Sequence, residues 1–186
     1  MNGDLVVHPY ADPPWLPPAA RADVLVASTA DAPMPTCLVR LLIIDPGAPV
    51  VEPVETTSVP TQHHARIHVV PRTGGRPGVD LPTEDVRPGE LPVAAATRLS
   101  ELVLGTPVPV ELVGYVRNIV ACPAADYDWP VPTAHFAVYR PIAATPPRDV
   151  GAWVAQADWA DELGERHWYP LIRRAGPLIP TRPDLV

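Results

Sequence analysis

A chain of 186 residues is long enough to bury one ordinary core, and 47% hydrophobic against 19% charged residues makes it globular rather than disordered. The net charge is −7 and every fixed cation is an arginine, which argues against a nucleic-acid partner, because phosphate-backbone binding needs clustered cations. No apolar run approaches the roughly 20 residues of a membrane span and no leader pattern opens the chain, so a cytoplasmic protein with no membrane partner is expected.

The 28 prolines punctuate apolar runs instead of forming a repeat. Residues 1–33 read as a Pro-rich arm whose Tyr10 and Trp15 pack on the body, with a short helix over 19–27. A main domain follows over 34–172 and a tail over 173–186. CLVRLLIID (37–45) predicts a buried strand, ended by the Asp45-Pro46-Gly47 turn. Residues 50–59 predict an edge strand, because Pro53 cannot donate to a ladder. ARIHVV (65–70) predicts another strand before the Thr73-Gly74-Gly75 turn. Period-two geometry puts His64, Arg66 and His68 on one face of that strand, close to His63. Shared metal binding or proton exchange is one reading of these imidazoles, and a solvated strand face is the favoured one. Pro92 and Gly105 bracket a helix of three to four turns. VELVGYVRNIV (110–120) and 133–143 predict two strands. Residues 158–171 predict a closing helix, with Trp153, Trp159 and Trp168 filling the core beneath it. Cys37 and Cys122 lack framework or metal spacing and are expected as buried thiols.

The loop and helix LPTEDVRPGELPVAAATRLSELVLGT (81–106) carry the most information. They resemble the Nudix box of diphosphate hydrolases, with Glu90, Arg98 and Gly105 on the loop glutamate, the arginine and the closing glycine of that pattern. Arg72 and Leu81-Pro82 match the strand ends that usually precede the box, and the resemblance extends over 34–172. It implies an α/β fold, a Nudix-like α/β/α sandwich with a central mixed sheet. In that family, helix and loop glutamates hold magnesium, whose hard charge neutralises phosphate and lowers the pKa of attacking water. Here Glu84 replaces the opening glycine, while Leu99, Leu102 and Val103 replace three glutamates. No cofactor is expected. Magnesium enters only if Glu84, Asp85, Glu90 and Glu101 rebuild a carboxylate site, and for Glu101 a surface pair with Arg98 is the favoured alternative.

With those glutamates gone, Leu99, Leu102 and Val103 read either as core or as lining for a less polar pocket. Asp126, Tyr127, Asp128 and Trp129 form a loop able to stack on and hydrogen-bond a ring ligand, although turn formation explains the same residues. His135 is the general acid–base candidate, expected to face the cleft together with Glu90. The leading functional reading is a diverged Nudix-like protein that has lost magnesium-dependent pyrophosphohydrolysis and binds or transforms a small molecule. On His135 and the polar loop it leans toward an enzyme. The alternatives are a conventional hydrolase of a nucleoside diphosphate linked to another group, and a structural or interaction protein whose arm and exposed aromatics make a homodimer contact.

Overall fold

The computed structural model describes residues 3–47, 65–143, 145–148 and 151–174. Its main sheet orders six strands as β1 (Leu5–Ala11), β2 (Arg21–Val26), β8 (Val110–Ile119), β9 (Thr133–Pro141), β3 (Thr36–Leu41) and β7 (Thr83–Asp85). β3 runs parallel to β9 and the other neighbours are antiparallel, so the sheet is mixed. A smaller sheet is built on β5 (Arg66–Pro71), flanked by β4 (Ile44–Asp45) and β10 (Ala152–Ala155). β6 (Val79–Asp80) pairs with the far end of β5.

Strand alternation divides the interior into two cores. On one face Val39 and Leu41 of β3, Tyr115 of β8 and Tyr139 of β9 pack beneath α1 (Pro92–Leu104). On the other face Val116 of β8 and Ala134, Phe136 and Val138 of β9 meet Ile67 and Val69 of β5. That second layer also holds α2 (Trp159–Leu163) and α3 (Tyr169–Arg174), with Trp168 fully buried between them. The fold is therefore α/β, with a central mixed sheet covered by helices, and the smaller sheet shares one of the two covering layers. No described helix is long and apolar enough to cross a membrane.

Helix α1 forms where the sequence places it. Pro92 starts it, where a missing N–H costs nothing, and Gly105 stops it in the left-handed conformation at φ 76°, donating its N–H to the Glu101 carbonyl. Its buried stripe contains Ala95, Ala96, Leu99 and Val103, at the spacing that presents one helix face. Burying a side chain such as Leu99 contributes about 1.5–3 kcal/mol. Leu99 and Val103 are thus core under the sheet and do not line a pocket, whereas Leu102 points outward at 63% exposure.

Several expectations need correction. The 19–27 segment is strand β2, not a helix, because pairing with both β1 and β8 outweighs the helical preference of its alanines. The first 33 residues are accordingly not a separate arm, since they supply two strands of the main sheet. The closing helix is broken into a 3₁₀ turn (Gln156–Asp158), α2 and α3, and β10 precedes it without having been anticipated. His68 does not belong to a solvated face: it is buried, with Trp153 edge-on at 5.4 Å. Trp153, the cross-strand neighbour of His68 on β10, packs on that face, which alternation along β5 alone does not show. Trp153 itself is only partly buried, and it packs with the core beneath α1. Cys37 is half-buried and Cys122 exposed. The expected strand over 50–59, His63, His64 and the tail from 175 onward lie outside the described residues.

The helix faces yield a direct test. Leu102→Glu should change stability by no more than about 0.5 kcal/mol, the usual range for an exposed site. Val103→Glu should lower it by several kcal/mol, because an unpaired carboxylate enters the core. Urea denaturation of the two variants checks this, and equal effects would contradict the assignment of the two faces.

Candidate functional site

Between the main sheet and the 70–85 segment lies a cleft of about 960 Å³. Period two brings Leu38 and Arg40 of β3 to its floor, opposite Val39 and Leu41 beneath α1. Arg40 is only 6% exposed. Its nearest counter-charge is Asp80, with Oδ1 at 3.7 Å from Nε, beyond hydrogen-bond distance. That same Oδ1 accepts hydrogen bonds from the Trp168 indole at 2.7 Å and from the Leu81 amide at 2.8 Å. Nε and Nη1 of Arg40 are buried and, among the described residues, have no acceptor. An unsatisfied buried donor costs about 1–3 kcal/mol, and more when charged. Burial lowers the Arg40 pKa and Asp80 raises it, yet a guanidinium remains protonated at any ordinary pH.

His167 sits in the same cleft, and its buried Nε2 also has no partner among the described residues. Burial, followed by the fields of Arg40, Arg166 and Arg72, holds it well below the ordinary histidine value, so it is neutral at neutral pH. Arg72 and Arg76 flank the cleft on the Gly74-Gly75 turn, whose glycines take positive φ. Rings complete the lining. Trp129 stands edge-on to Phe136 at 5.3 Å, and Trp15 lies 5.8 Å from His167.

The box loop is organised around Arg98. Its guanidinium binds Glu90 through Nε and Nη2 at 3.2 and 3.0 Å, Glu84 through Nη1 at 2.6 Å, and the Asp85 carbonyl at 2.9 Å. The Arg87 amide adds a 2.9 Å bond to Glu90. Bonds from Arg98 first, and then from the Arg87 amide, hold the Glu90 carboxylate below its ordinary value, while Glu90 and Glu84 raise the Arg98 pKa. This is a clasp that closes the loop onto the helix. Its donor set does not fit a magnesium ion, since a cation already occupies the space between the carboxylates and the helix face beyond offers Leu99 and Val103. Glu101 is exposed and stands apart from the clasp. Among the described residues, no three His, Cys, Asp or Glu are grouped to hold a metal.

Asp126, Tyr127, Asp128 and Trp129 all line the cleft, together with Glu84 and Asp85. Glu90 borders a separate, shallower recess that also includes Cys37 and Trp129. His135 does not join them. It pairs with Arg117 across β8 and meets Tyr115 at 5.5 Å, with Nδ1 3.0 Å from the Pro35 carbonyl. Burial lowers its pKa, although the Pro35 contact opposes this. Its neighbours Ala134 and Phe136 face the cleft layer, so His135 faces the α1 layer, and the expected His135–Glu90 pair is not formed. Period two separates the two faces of β9, but the cleft lies on the face of Ala134 and Phe136 and not on that of His135. Arg40, Asp80 and His167 were missed. The available signal was a lone arginine inside an apolar strand, CLVRLLIID, because such a charge is never buried without consequence.

No family model matches the chain, and no curated protein sequence matches it. Among solved structures, a mutant of the Bacillus subtilis pyrophosphohydrolase BsRppH aligns with a TM-score of 0.45 and 11% identity, over 92% of this chain and 90% of that one. The chemistry of the cleft rests on this chain's own side chains.

The clasp predicts a pH signature. Because the Glu90 pKa lies below its ordinary 4.5, the group contributes stability at higher pH that is lost as pH falls through the lowered value. Arg98→Gln should therefore lower the urea midpoint at neutral pH and converge with the parent chain well below pH 4.5. Curves that coincide at neutral pH would mean the clasp contributes nothing, and curves that stay offset on acidification would mean its contribution does not depend on the Glu90 charge.

Proposed function

We propose that the chain is a diverged Nudix-like protein that binds a small molecule in the cleft between its sheets, without magnesium-dependent pyrophosphohydrolysis. One observation carries this reading: the cleft remains open at about 960 Å³ and is lined by aromatic and charged side chains, as ligand sites are. A purely structural role would leave that space filled. The conventional hydrolase reading has less support, because Arg98 engages Glu84 and Glu90 and apolar residues stand at three glutamate positions of the box.

The enzyme reading weakens with His135 directed at the other layer. The ionisable side chains of the cleft include Asp80, Glu84, Asp85, Asp126, Asp128 and the neutral His167. Binding is the primary reading, and a chemical step would have to draw on these groups.

Incubation with nucleoside diphosphate sugars, dinucleotide polyphosphates and nucleoside triphosphates tests the proposal. The expected outcome is no magnesium- or manganese-stimulated release of phosphate products. Native mass spectrometry of protein purified in EDTA should still detect a bound small molecule. Robust turnover abolished by EDTA would restore the conventional hydrolase.

A further inference from the structure

We propose that the cleft takes a planar ring bearing a single oxyanion, with the oxyanion held directly by the Arg40 guanidinium and no metal between them. This rests on the ligand-binding reading above and names the chemistry of the ligand. Arg40 is the only buried guanidinium on the cleft floor among the described residues, and two of its nitrogens lack acceptors there. Asp80 cannot supply them, because Oδ1 lies 3.7 Å away and already receives the Trp168 and Leu81 donors. Those two nitrogens are covered, so an oxygen reaching them would shift a neighbouring side chain and convert unsatisfied charged donors into charge-assisted hydrogen bonds, the stronger class. Arg72 and Arg76 at the rim add attraction without burial.

Charge layout limits the anion to one compact group. Beyond the arginine end the lining turns acidic, with Asp85, Asp126 and Asp128. A polyphosphate extending across the cleft would meet those carboxylates with no metal to screen it. A ring meets no such penalty. Phe136 and Trp129 present an edge-to-face pair, and His167 offers a neutral imidazole whose Nε2 has no partner among the described residues.

The test uses the full chain in EDTA with four probes: phenyl phosphate, benzoate, inorganic phosphate and phenol. Calorimetry should show phenyl phosphate or benzoate binding about 10- to 100-fold tighter than phenol, the range expected for charge-assisted hydrogen bonds to one guanidinium. Preference between the first two identifies the oxyanion as phosphoryl or carboxylate. Arg40→Gln should abolish the advantage over phenol, and Arg40→Met should do the same if the glutamine variant folds poorly. The parent chain also provides a readout of its own, since phenyl phosphate or benzoate should raise its Tm at a concentration where phenol does not.

If the charged probes bind no tighter than phenol, or if folded Arg40 variants retain the preference, the inference is overturned while a ring-binding cleft survives. If no probe binds the parent chain, and protein from EDTA purification carries no small molecule, the inference and the ligand-binding reading fall together.

Discussion

A guanidinium placed between two sheets has to be held in position by something, and here the holding group is Asp80. Its carboxylate stands where three parts of the fold converge: β6 of the outer layer, Arg40 on the central strand β3, and Trp168 between the closing helices. Trp168 is fully buried and its indole N–H must find an acceptor. Satisfying Trp168 and the Leu81 amide leaves Asp80 as a neighbour of Arg40 and not its hydrogen-bonded partner. The cleft floor therefore carries a buried cation whose Nε and Nη1 lack acceptors among the described residues, and the same Asp80 contacts tie β6 to Trp168.

The two central arginines show opposite solutions to the same problem. Arg98 is surrounded by acceptors from Glu84, Glu90 and the Asp85 carbonyl, and is left with little to offer a ligand. Arg40 is buried more deeply and has fewer bonds. Buried donors without acceptors are costly and uncommon in folded chains, and Arg40, a residue of the cleft lining, carries two of them. The loop that resembles a catalytic box is closed onto α1 through Arg98, and Arg40 lies on the neighbouring strand β3.

Much of the fold was legible because local rules and tertiary packing agree there. Pro92 and Gly105 bound α1, and strands β8 and β9 follow their apolar runs. The first two strands were not legible, since the alanines of the 19–27 segment favour a helix and the prolines before it disfavour a strand, and only pairing with β8 decides. The site was legible only in part. The loop over 126–129 lines the cleft, whereas His135 lies on the other face of β9, which its place in the alternation does not show. Alternation tells which residues share a face and not what covers that face. His68 illustrates the same limit, because β10 and Trp153 bury a position that polarity alone would expose. Asp80 and His167 carry no pattern in the sequence at all, and their significance comes from contacts across the chain, such as the 88-residue separation between Asp80 and Trp168.

We propose recognition at Arg40 and not at the loop that resembles the box. The most direct measurement is a crystal structure of the protein grown with phenyl phosphate and magnesium together. The account predicts the phosphoryl group within hydrogen-bond distance of Arg40, the ring against Phe136 and Trp129, and Arg98 still engaged with Glu84 and Glu90. Magnesium bound by Glu84, Asp85 and Glu90, with Arg98 displaced and the phosphoryl group on the metal, would contradict it.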